Sequence, residues 1–162
     1  MGAPGVTRRL AVLELKIPPP VVAALAAVAM WGIAAVAPSI DAPEGMRKVA
    51  AATIALAGVA LDIAGIVSFR RARTTINPMK PGTTSSLVRS GVYRFTRNPM
   101  YLGLCFLLVA WAVFLACPWA LLGPLAFVLY MNRFQIGPEE RALSAMFGEE
   151  YSAYEATVRR WL

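Results

Sequence analysis

Residues 100–131 read MYLGLCFLLVAWAVFLACPWALLGPLAFVLYM, and how this run crosses a membrane decides the fold. Its 32 residues carry no charge. They are too many for one ordinary span of about 20 residues and too few for two full spans with a loop. Pro118 and Pro124 interrupt it. The expected solution is a tight hairpin turning near Cys117-Pro118, with shortened or tilted legs over about 100–117 and 118–136. One long kinked helix is the alternative.

Two further apolar runs precede it. Residues 18–37, PPPVVAALAAVAMWGIAAVA, hold no charge and match the length of a span. They are long for the core of a signal peptide, and no convincing cleavage site follows, so a retained helix is expected. Residues 49–69 form a second span containing one acid, Asp62. The expected fold is therefore an all-α polytopic membrane protein of one domain, with about four transmembrane helices.

The composition agrees. The 162 residues are 58% hydrophobic, with a mean hydropathy of +0.58, more apolar than a soluble domain. The net charge of +7 sits beside apolar segments, which favours lipid headgroups over nucleic acid. Fourteen of the sixteen lysines and arginines fall on one side of this topology, and only Arg47 and Lys48 fall on the other. Both termini and the loop 70–98 are thus expected to face the cytoplasm, in a prokaryotic inner membrane. The chain has no histidine, and its two cysteines, Cys105 and Cys117, lie in apolar runs. No metal site is expected, and any chemistry must proceed without an imidazole.

The loop, the cytoplasmic end of the hairpin and the tail should meet on one side. Asn98-Pro99 reads as an N-cap followed by a first-turn proline, so a helix starts at the membrane surface. Its free N–H groups and Arg97 offer an anion site, with Tyr93 and Tyr101 close by. The competing reading is that Arg97 and the tyrosines only anchor headgroups. In the tail, 138–162, Pro138 suits a first helical position, and Glu139 and Glu140 suit the first turn. Leu143, Met146, Phe147, Tyr151, Tyr154, Val158 and Trp161 then recur at helical spacing, with an interruption expected at Gly148. A charged residue within a span is costly and usually paired or functional. Asp62 therefore either pairs with Arg133 or faces a substrate.

SSLVRSGVYRFTRNPMYLG at 85–103 and EERALSAMFGEEYSAYEATVRRW at 139–161 together resemble the isoprenylcysteine carboxyl methyltransferase and phospholipid methyltransferase group of membrane enzymes. The resemblance covers about the last 80 residues. It implies S-adenosylmethionine as cofactor and S-adenosylhomocysteine as product. It places cofactor contacts at Ser85, Ser86, Leu87, Val88, Tyr93, Asn98, Pro99, Met100, Tyr101 and Glu139. Many members have His where this chain has Asn98. Isoprenylcysteine-specific members carry an arginine at the position of Gln135, where it meets the substrate carboxylate; here the nearest arginine is Arg133. The acceptor is expected to be a lipophilic small molecule entering from the bilayer. An ionised carboxylate or thiolate needs no base, whereas an amine or phenol would lose its proton to Glu140, Tyr101 or solvent. Two other functions fit the same architecture: a non-catalytic accessory membrane protein, and a relative of membrane reductases.

Overall fold

The structure, a computed structural model, describes residues 14–72 and 86–162. Among the described residues the regular structure is entirely helical. Helix α1, Pro19–Val36, begins with prolines in its first turn, where a missing N–H costs nothing. Helix α2, Glu44–Arg71, is longer than the apolar run 49–69. Its polar first turn is held by a Lys48–Glu44 ion pair at 2.5 Å, and Arg70 and Arg71 sit at the carbonyl end, where the helix dipole favours cations. The backbone ladder continues after the apolar side chains stop, which composition cannot register.

Helix α3, Pro99–Leu115, ends at Ala116, whose φ of 49° reverses the chain. A 3-10 turn, Pro118–Leu121, then leads into α4, Leu122–Tyr130. This is a hairpin at the expected place, not a kinked helix. The Ile40 N–H donates to the Ala116 carbonyl at 2.7 Å, so the α1–α2 connection and the hairpin turn share one end of the bundle. The 86–98 loop and the tail occupy the other.

Helices α2 and α3 meet along a seam of small residues. A Cβ on Gly58 would lie 2.8 Å from the Gly103 carbonyl oxygen, and one on Gly103 would lie 2.7 Å from that of Gly58. Backbones approach this closely only without side chains between them. Helix α1 joins through Met30, fully buried against Gly123, and through Trp111, whose Nε1 donates to the Ala27 carbonyl at 3.1 Å. Met30, Leu108, Phe127, Met131 and Ile136 form the core. Outside it, Leu25, Val28 and Trp31 of α1, Leu56 and Ile63 of α2, and Leu125 and Leu129 of α4 are exposed. Helices α1 and α2 are long and apolar enough to cross a membrane. An apolar outer surface of this extent is unfavourable in water and suits lipid.

The tail departs from expectation. No new helix starts at Pro138. Instead α4 passes into a π turn, Met131–Ile136, and directly into α5, Gly137–Phe147. The Gly137 N–H bonds the Asn132 carbonyl, five residues back, which widens the helix just before a proline that has no N–H to give. The tail then breaks at Gly148, φ 49°, and continues as α6, Glu149–Thr157, before leaving helix at Val158. The interruption expected at Gly148 is present; a single helix over 138–162 is not.

Candidate functional site

The π turn and the first turn of α5 put Gln135 and Glu139 four residues apart on one face, opposite the start of α3. There the Tyr101 hydroxyl donates to Glu139 Oε1 at 2.5 Å, and Gln135 Nε2 donates to the same oxygen at 2.7 Å. Tyr93, at a 3-10 turn spanning Gly91–Arg94, is buried with its ring edge-on to Phe69 at 5.4 Å. Its carbonyl accepts from the Tyr154 hydroxyl at 2.7 Å. Gly91 makes this turn with φ 64°, and a Cβ there would lie 2.6 Å from Ser68 Oγ. Burial of the Glu139 carboxyl pushes its pKa up to about 7. The two donated hydrogen bonds pull it down, and the neighbouring Glu140 charge pushes it up. A carboxyl group so placed changes charge near neutrality.

A second cluster surrounds this one. Glu140 is gripped by Arg160, through Nε at 3.0 Å and Nη2 at 2.5 Å, and by Arg97 at 3.3 Å. Arg97 also reaches Glu155 at 2.5 Å and the Tyr151 hydroxyl at 3.4 Å. Burial alone would lower the Arg97 pKa, but the hydrogen bond to Glu155 and the field of Glu140 outweigh it and hold it above its ordinary value. The backbone is tied as well: the Arg97 N–H donates to the Arg159 carbonyl at 3.0 Å.

This changes the reading of Asn98. It occupies the N-cap position of α3, yet its side chain makes no capping bond. Its amide instead donates to the Arg160 carbonyl at 2.9 Å, which Thr96 Oγ1 also meets at 3.3 Å. The extended end of the tail passes close enough to draw the amide away from the helix start.

The remaining expected residues divide. Ser86 Oγ donates to the Ala72 carbonyl at 3.4 Å, Leu87 packs on Tyr151, Tyr154 and Val158, and Val88 is buried. Pro99 is buried, and Met100 packs beside Gly65. Ser85 lies outside the described residues. Asp62 and Arg133 do not pair. Asp62 lies over Gly103 in the α2–α3 seam with Oδ1 buried and unbonded, whereas Arg133 bonds Glu14 at 2.7 Å and lies 5.3 Å from the Phe134 ring centre.

Sequence reading missed Arg160 and Glu155, because neither falls on the apolar stripe that marks the tail. It also missed an open groove of about 450 Å³ between the loop and α6, lined by Arg89, Arg94, Ala153, Tyr154, Thr157 and Val158.

The model of the family described as phospholipid methyltransferase matches residues 46–150, more than half of the chain. A stretch of 63 residues, 39% of the chain, is 48% identical to an uncharacterized protein of Haemophilus influenzae and covers all of that protein.

Proposed function

Because the chain belongs to the phospholipid methyltransferase family, we propose that it is a membrane enzyme that transfers a methyl group from S-adenosylmethionine to a lipophilic acceptor at the cytoplasmic face. The observation that carries this reading is the Tyr101–Gln135–Glu139 cluster. It joins the two motifs of the chain, 38 residues apart, around one carboxyl group poised near neutrality.

The donor set suits the cofactor. A carboxylate such as Glu139 matches ribose hydroxyls or an amino group, and the aromatic and aliphatic surfaces of Tyr93, Leu87 and Val88 match an adenine. Ser85, Ser86, Asn98, Pro99, Met100 and Tyr101 complete the set that would hold it. When bound, the cofactor supplies a methyl group already activated on a sulfonium. The protein then has to align the acceptor and exclude water, and alignment alone is worth about 7–11 kcal/mol. Tyr101 and Gln135 fix the rotamer of Glu139. For an amine or phenol acceptor, Glu139 is the group whose pKa fits it to accept the proton. Glu140, paired with Arg97 and Arg160, holds the tail over the site. Asp62, Gln135 and Arg133 remain the residues proposed to face the acceptor side.

Two measurements test this. S-adenosylhomocysteine should raise the melting temperature of the detergent-solubilised protein, whereas NADPH should not; the reverse result would replace the methyltransferase with a reductase. The proposed four spans, with both termini and the tail cytoplasmic, predict that Ser39→Cys and Ser152→Cys label from opposite sides of the membrane in a background lacking Cys105 and Cys117. Labelling from one side would overturn the topology.

A further inference from the structure

Pro138 leaves the Phe134 carbonyl without the N–H that an α-helix would bring to it. The Leu15 N–H fills that place at 3.0 Å. Leu15 adopts a left-handed backbone conformation, φ 57°, which non-glycine residues rarely take up. Beside it, the Glu14 carboxylate bridges Arg133 at 2.7 Å and Arg141 at 2.6 Å. One arginine precedes Pro138 and the other follows it. Between them in sequence lie Gln135 and Glu139, with Glu139 accepting from both Tyr101 and Gln135. Each residue of a helix turns the following face by about 100°. Closing the π turn into regular α-helix would therefore rotate Glu139 away from Tyr101 by about that angle.

We propose that Glu14 and Leu15 form a strap that fixes the register of the π turn and so aims Glu139, making the stretch before α1 part of the site. This rests on the methyltransferase reading for its functional meaning. Glu14 is a positioning residue: its bonds run to Arg133 and Arg141, not to Tyr101 or Glu139. It also occupies Arg133, which accounts for that arginine's failure to pair with Asp62.

The test is Glu14→Gln in the full chain, with S-adenosylhomocysteine affinity measured by calorimetry from below to above neutrality. The variant should bind roughly fivefold or more weakly. The pH midpoint of its affinity should also move down toward the ordinary carboxylate range, as Glu139 loosens and takes on water. The charged and titratable groups facing Glu139 are Tyr93, Tyr101 and Glu140, and the substitution alters none of them. A shift in midpoint therefore reports placement, which general destabilisation would not produce. Glu14→Asp should recover part of the loss. A second readout needs no ligand: the pH midpoint of the fall in melting temperature linked to Glu139. If the unaltered protein fails to bind S-adenosylhomocysteine, the methyltransferase reading falls, and this second midpoint alone decides the strap. Should Glu14→Gln not fold, Arg141→Gln cuts one half of the same bridge and gives the same two readings. Midpoints and affinity equal to those of the unaltered protein would overturn the proposal.

Discussion

Glu139→Gln lowers the affinity for S-adenosylhomocysteine by about 10- to 100-fold above neutral pH, the loss expected when a hydrogen bond to a charged group is replaced by a neutral one. The unaltered protein should bind more tightly as pH rises through about 7, because the carboxyl group ionises there. The variant has nothing to ionise, so its affinity should stay flat across that range. Stability moves the opposite way. The native state keeps a proton that the unfolded chain has already lost above the ordinary carboxyl value of 4.5. Stability is therefore full below that value and declines as pH rises toward about 7. The decline is on the order of 3 kcal/mol, from about 1.4 kcal/mol per pKa unit. Glu139→Gln should abolish it, leaving a melting temperature nearly constant across the window. Calorimetry and thermal melts on the same samples check both. An affinity that ignores pH in the unaltered protein would remove Glu139 from the cofactor site.

The second large effect is on the fold itself. Arg97→Met should destabilise the ligand-free protein by about 2 kcal/mol, because it removes charge-assisted hydrogen bonds at a largely buried site while Arg160 still holds Glu140. Arg97 is 10% exposed and Glu140 15%, so water can do little to replace the lost contact. In a chain of this size that corresponds to a fall in melting temperature of roughly 4–8 °C. Arg97→Lys should recover only part of it, since one ammonium cannot reach Glu140, Glu155 and Tyr151 together as the planar guanidinium does. The sequence pointed to Arg97 as an anion clamp at the start of α3. That role predicts an unchanged melt, with a larger loss of affinity for the full cofactor than for an analogue lacking its methionyl carboxylate. The network predicts the reverse: a lower melt and equal losses for both ligands. A normal melt with a selective loss would restore the clamp.

Asn98 follows the same logic at smaller scale. At the sequence level an Asn before a Pro is a cap, because capping is local and needs only the next turn. The structure spends that amide on the Arg160 carbonyl, 62 residues away. Local chemistry names the residue, and the path of the tail chooses its partner.

What the sequence by itself determined follows from short-range rules. Uninterrupted apolar runs of span length set α1 and α2, the Cys117-Pro118 break set the hairpin, and the joint spacing of the two motifs set the family. The Gly148 break and the pairing of tail with loop were also legible, since helical period and glycine are local signals. Only the tertiary structure decided the rest. It turned Pro138 from a helix start into the cause of a π turn, because the Phe134 carbonyl found a donor in Leu15, 119 residues earlier. It separated Asp62 from Arg133, because α2 packs on α3 while the Glu14 carboxylate captures the arginine. It divided the adjacent acids Glu139 and Glu140, one buried against Tyr101 and Gln135, the other held by Arg97 and Arg160. Neighbours in sequence point about 100° apart on a helix, so each acid takes its character from whatever the fold brings to its own side.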